Sequence, residues 1–233
     1  MYPQTGADRP VQMMSSMLAD TFMADLKTWL ESAPEQLPSN RAYNNAYGSP
    51  EWFQLMYHHS ILLLHRRRLV SPGESLGADQ TPASVYIDCA TSAQAICQLY
   101  RQLYISQRLN DTWGSLHVLF LGGVTFLHCL WARAETRAVF RLDKVASTCT
   151  SCMIVLAVMS ERWTAVEPYR DAFDMLATAT QAMMAETPMT LVTPVMPVLS
   201  SSGNEQLTDY LSSMAEIGMC SSVEALLTNM IGQ

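Results

Sequence analysis

The sequence predicts an all-α fold, a multi-helix bundle, on three observations. Apolar residues recur at three- and four-residue spacing in one segment after another, which lines them along single helix faces. Two-residue alternation bounded by hairpin turns is absent throughout. Proline, glycine and serine signals fall between the periodic segments, where helices start and stop.

Each element follows from these signals in turn. Residues 1–12 are aperiodic and read as a loose terminus. Met14, Met17, Leu18, Phe22, Leu26, Trp29 and Leu30 then share one helical face, and "SAPEQLPSN" ends that helix. Ser49-Pro50-Glu51 supplies an N-cap hydroxyl, a proline at the first helical position and an acid at the positive end of the next helix, which Pro72-Gly73 stops. Thr81-Pro82 opens a third helix, with Tyr86, Cys89, Ala90, Ala93, Ile96, Cys97, Tyr100 and Leu103 along its apolar stripe. Asp111 is placed to cap an apolar helix reaching Ala132, with Arg133, Arg137 and Arg141 suited to its negative end or its continuation. Two further helices run from about Lys144 to Trp163 and from about Ala165 to Met184, the latter broken or started at Pro168. The periodic region 13–185 reads as one domain. Residues 186–206 read as a linker, because Pro188, Pro194, Pro197 and Ser200-Ser201-Ser202-Gly203 forbid a continuous helix, and 207–233 read as two short amphipathic helices.

Composition narrows the function classes. The chain has 233 residues, 49% hydrophobic and only 15% charged, so it must hide much apolar surface in a core or against a partner. A net charge of −7 works against binding to phosphate backbones, so no direct nucleic-acid contact is expected. Six cysteines sit mostly in apolar periodic segments and no N-terminal signal pattern is present, which fits reduced thiols in an intracellular protein, nuclear or cytoplasmic. Thr112 to Ala132 contains no Asp, Glu, Lys or Arg and is about as long as a bilayer requires. Its His117, His128, Ser115 and Gly122-Gly123 favour a buried core helix, and no membrane partner is expected.

No residue cluster names a reaction. His58 and His59 diverge by about 100° on a helix, and His58 and His65 lie two turns apart, unlike a helical metal pair at i and i+4. Cys149-Thr150-Ser151-Cys152 has redox or zinc spacing but no second pair to match it. Arg66-Arg67-Arg68 suits a cationic helix C-terminus as well as a phosphate patch. Glycine-rich phosphate loops, a serine elbow and a zincin helix are absent, so neither metal nor cofactor is expected.

The order of segments is more informative than any one of them. "LKTWLESAPEQLP", "MYHHSILLLHRRRLVSP", "CATSAQAICQLYRQL", "WGSLHVLFLGGVTFLHCLW" and "CMIVLAVMSERWTAVEPYRDAFDML" together resemble, over roughly residues 26–176, the regulatory domain (middle homology region) of fungal binuclear zinc-cluster transcription factors. The resemblance implies a helical bundle or solenoid-like domain that restrains or licenses a transcription factor, sometimes in response to a metabolite. The family's DNA-binding module needs six closely spaced cysteines in a basic segment near one end, whereas the first cysteine here is Cys89. The chain is therefore expected to be either part of a larger regulator or a standalone descendant without DNA binding.

Two functions are open at this stage. One is a regulatory or ligand-sensing module, linked to fungal secondary metabolism, that takes a small molecule or a protein partner and uses its C-terminal segment as a coactivator contact. The other is a cofactor-free isomerase, cyclase or lyase that shapes a metabolite in an apolar pocket. Candidate pocket residues for either are Trp52, His58, His59, His128, Trp131, Trp163 and Arg170. The 16 methionines suit adaptable apolar contacts and raise a homodimer as a third reading.

Overall fold

The computed structural model describes residues 8–34, 49–70, 81–109, 112–186, 201–219 and 221–231. Among these residues the chain is helical without a strand: α1 (Asp8–Glu31), α2 (Pro50–Val70), α3 (Ala83–Ile105), α4 (Trp113–Ala132), α5 (Ala134–Val139), α6 (Leu142–Arg162), α7 (Glu167–Glu186), α8 (Ser201–Ile217) and α9 (Ser221–Ile231). A 3-10 turn, Thr164–Val166, links α6 to α7.

The predicted start signals operate with some shifts. Ser49 Oγ accepts the Trp52 amide at 3.2 Å, which caps α2 as expected. α1 begins at Asp8, inside the stretch expected to be loose; a proline such as Pro10 is tolerated in a first helical turn, where its missing N–H costs no hydrogen bond. α8 begins at Ser201, inside the expected linker, since serines favour a helix start as much as a loop. α7 begins at Glu167 with Pro168 in its first turn, two residues beyond the expected Ala165. The cap of α4 is Thr112, whose hydroxyl accepts the Ser115 amide at 3.1 Å. Asp111, Pro72-Gly73, Cys220, residues 1–7 and the proline-rich stretch 187–200 lie outside the described residues.

α4 is the hub, in contact with α2, α3, α5, α6, α7 and α9. Every residue from Leu119 to Trp131 is buried, as an apolar helix enclosed by others requires. α4 and α6 are both long and apolar enough to cross a membrane by length and composition, but α4 meets that test here as an enclosed core helix. The Gly122-Gly123 pair makes the close packing feasible. A Cβ on Gly122 would lie 2.8 Å from Ile96 Cγ2 of α3, and one on Gly123 would lie 2.6 Å from Phe173 Cε2 of α7 and 2.9 Å from Cys152 Sγ of α6. Missing side chains thus let helices approach α4 from two sides.

Polar ties fix the ends of the bundle. At one end Arg108 pairs with Glu51 at 3.8 Å, joining the chain after α3 to the start of α2. At the other, Arg137 donates to the carbonyls of Leu130 (2.8 Å) and Trp131 (3.1 Å), which satisfies acceptors left open by the end of α4. Arg133 lies over the Tyr86 ring at 5.1 Å. Arg66 and Arg67 are exposed at the end of α2, where cations suit the helix dipole.

The C-terminal helices are structural members of the core. Leu207, Met214, Val223, Leu226, Leu227 and Met230 are all buried, and Asn229 Nδ2 donates to the Val70 carbonyl at 2.6 Å. The apolar faces of α8 and α9 are thus spent on the bundle, while Asp209, Glu216 and Glu224 stand exposed on their other faces.

Candidate functional site

One end of the bundle collects aromatic residues. Trp29 ends α1, Trp52 starts α2, Trp113 starts α4 and Trp163 follows α6, so four of the five tryptophans stand there. Antiparallel succession of the helices causes this, because it returns alternate helix ends to the same place. Trp29 and Phe53 approach with ring centroids 5.7 Å apart.

An open concavity lies at this end. It has a volume of about 580 Å³ and is lined by Thr112, Trp113, Arg162, Trp163, Thr164 and Ala165. Trp113 projects from the first turn of α4, whose cap fixes where the helix begins. Its ring meets the edges of His117 (4.8 Å) and Tyr169 (6.0 Å), and Tyr169 in turn meets Phe120 at 4.9 Å. Trp163 sits at the C-cap of α6 with extended backbone, its amide donating to the Met159 carbonyl at 3.0 Å. That extended residue turns the chain into the 3-10 segment and presents Thr164 and Ala165 to the same hollow. His117 reaches across the end of the bundle. Its Nδ1 is 2.8 Å from the Trp113 carbonyl and its Nε2 is 3.2 Å from the Gly218 carbonyl at the bend after α8.

The other predicted site residues are dispersed. Trp52 packs edge-on against Phe53 at 5.2 Å. His58 and His59 are half-buried on α2, and burial lowers the pKa of each. His128 is enclosed in α4, with burial pushing its pKa down to about 4 and leaving its Nδ1 without a hydrogen-bond partner. Trp131 Nε1 donates to Thr180 Oγ1 at 2.7 Å, and that hydroxyl donates to the Leu176 carbonyl at 2.7 Å, a buried tie between α4 and α7. Arg170 is held by Asp171 (2.7 Å) and Ser160 (3.1 Å). Trp163 alone of the seven lines the hollow. Trp113, which also lines the hollow, was not singled out from the sequence, although its place directly after a capping threonine marks it as a helix-end residue.

The Cys149–Cys152 pair is not a reactive centre. Burial raises Cys149 to about 12 and Cys152 well above the usual range, so both stay protonated and unreactive at neutral pH. Among the described residues no three histidines, cysteines or carboxylates come together in a way that could hold a metal ion.

No family model and no solved structure matches the chain. Two curated relatives do. The chain is 27% identical over 178 residues to a positive regulator of purine utilization from Emericella nidulans, a match covering 70% of this chain and 16% of that protein. It is 26% identical over 186 residues to an uncharacterised transcriptional regulatory protein of Saccharomyces cerevisiae, covering 72% of this chain and 13% of that protein. The chain thus spans under a fifth of the length of either relative. Its homologues are fungal transcriptional regulators, consistent with the regulatory region of a fungal zinc-cluster factor.

Proposed function

We propose that this chain acts as a helical regulatory domain in fungal transcriptional control, intracellular and nuclear, and that it changes state on binding a small molecule. The observation that carries the reading is the match to two fungal transcriptional regulators over about 70% of the chain. A helical bundle with an open hollow at its end is compatible with a sensing role. The name of the Emericella nidulans relative supports metabolic genes as the target set.

A reporter experiment tests this directly. The chain is fused to a heterologous DNA-binding domain in a fungal reporter strain, and output is followed across nitrogen and carbon sources. Output that differs from the DNA-binding domain alone and varies with nutrient is the expected result. Output identical to that control under every condition overturns the proposal.

A further inference from the structure

We propose that the flank of the α1–α2 pair on which Leu18, Phe22, Trp29 and Leu63 stand exposed beside Arg66 and Arg67 is a docking surface for a partner protein's amphipathic helix that carries carboxylates at one end of its apolar stripe. Two contacts define this flank. Trp29 meets Phe53, and Asp20 lies near enough to His65 for its charge to act on the imidazole, so α1 and α2 run antiparallel, with Leu18 level with the end of α2. Leu18 and Phe22 are each two residues from Asp20, as Leu63 and Arg67 are from His65. Two residues turn a helix by about 200°, which puts all four on the flank opposite the Asp20–His65 approach. Trp29 continues the Leu18–Phe22 stripe about two turns beyond Phe22.

The flank is unspent in both its apolar and its charged parts. Leu18 is 65% exposed and Phe22 46%, with Trp29 and Leu63 also exposed, a row that soluble chains rarely leave open without a partner. Arg66 and Arg67 are exposed, and no carboxylate among the described residues forms an ion pair with either. The negative end of the α2 dipole is equivalent to about half a charge, so most of the two guanidinium charges stays available. Apolar side chains at helical spacing beside a second helix suit the apolar face of an incoming helix, and the arginines call for carboxylates at the α2 end. Asp25, exposed between Phe22 and Trp29, keeps those carboxylates to that end. Other occupants fit less well. From Leu18 to Glu31, α1 carries Asp20, Asp25 and Glu31 against Lys27 alone, which disfavours an anionic lipid surface. The acidic helices α8 and α9 bury their apolar faces in the bundle, so a second copy cannot offer them.

Fluorescence anisotropy of labelled peptides with the full chain tests the surface. The probe is a stapled helix of about five turns with leucines at i, i+4, i+7 and i+11. Two versions carry glutamates clustered in the first or in the last turn, to cover both directions of docking, and each has a counterpart with lysines in their place. Saturable binding of at least one glutamate version is expected, with its lysine counterpart weaker by about tenfold or more. Leu18→Gln with Phe22→Ser should weaken binding by about tenfold while the far-ultraviolet spectrum is retained, because both positions are exposed. Arg66→Glu with Arg67→Glu should reverse the preference in favour of the lysine version, which loss of structure alone cannot do. No saturable binding, equal binding of the lysine version, parent affinity in the Leu18 and Phe22 variant, or a preference that the arginine reversal leaves unchanged overturns the proposal. So does a dimer in sedimentation that Leu18→Gln dissociates, which assigns the flank to a second copy. Binding of the parent but not of Leu18→Gln to phosphatidylserine vesicles overturns it in favour of a lipid surface. All these readouts are independent of the sensing role, so a silent reporter leaves the docking surface standing.

Discussion

α4 and α1 are helices of similar length with opposite relations to the rest of the molecule. α4 is surrounded, and its stretch from Leu119 to Trp131 is wholly buried. α1 rests mainly on α2, and it leaves Met17 at 62% and Leu18 at 65% exposure, with Phe22 and Trp29 also exposed. Both sequences are apolar in places. What separates them is that α4 has small residues where neighbours come close, whereas the apolar stripe of α1 is broader than the contact α2 offers it. Burial is therefore a property of available partners as much as of hydrophobicity.

The contrast can be broken most severely at Gly123. Gly123→Val would drive its branches into Phe173 and Cys152, and a loss of about 3 kcal/mol is expected from chemical denaturation. A small effect would mean that α7 can move away from α4 cheaply.

Acid tests the same enclosure through His128. In the unfolded chain its imidazole takes a proton near 6.5, whereas in the folded chain burial delays this until about 4. Between those values the unfolded chain holds the additional proton, so stability is complete above 6.5 and is lost as pH falls towards about 4. The loss attributable to this group is roughly 3 kcal/mol at the lower limit. His58, His59 and His65 are shifted in the same direction by burial and add to it. Urea midpoints of His128→Leu should accordingly decline less between about pH 7 and 5 than those of the parent chain. An unchanged decline would place the acid sensitivity elsewhere.

Thr180→Val probes a narrower link. It strands the buried Trp131 N–H, for a cost of about 2 kcal/mol, while Trp131→Phe with Thr180→Val should recover part of that loss by removing both partners. At the other extreme, Leu18→Gln on α1 should change stability by no more than about 0.5 kcal/mol by thermal or chemical denaturation. A large effect there would show that α1 has a partner surface in solution.

Much of this architecture was legible from residue order. Periodicity located the long helices, and Ser49-Pro50-Glu51 announced α2 through its own cap. α5 was not anticipated as a separate helix, because six residues are too few to display a period. The hollow was half legible. Trp163 was among the pocket candidates, but its meeting with Trp113 depends on which helix ends share a side of the bundle, and that is decided by packing between distant segments. For the same reason the pocket candidates His58 and His59, half-buried on α2, and His128, enclosed in α4, do not line the hollow.

The closure of α4 by α9 has a consequence for biosynthesis. The face of α4 that α9 covers belongs to one of the most apolar stretches of the chain, and its cover is made only after α5 to α8. During translation that face stays open while α5 to α8 are produced, a window in which chaperones or other nascent chains can reach it. Only after α9 emerges can Asn229 reach the carbonyl of Val70 and seal the hub, so a chain that lacks α9 but keeps α1 to α8 should be aggregation-prone.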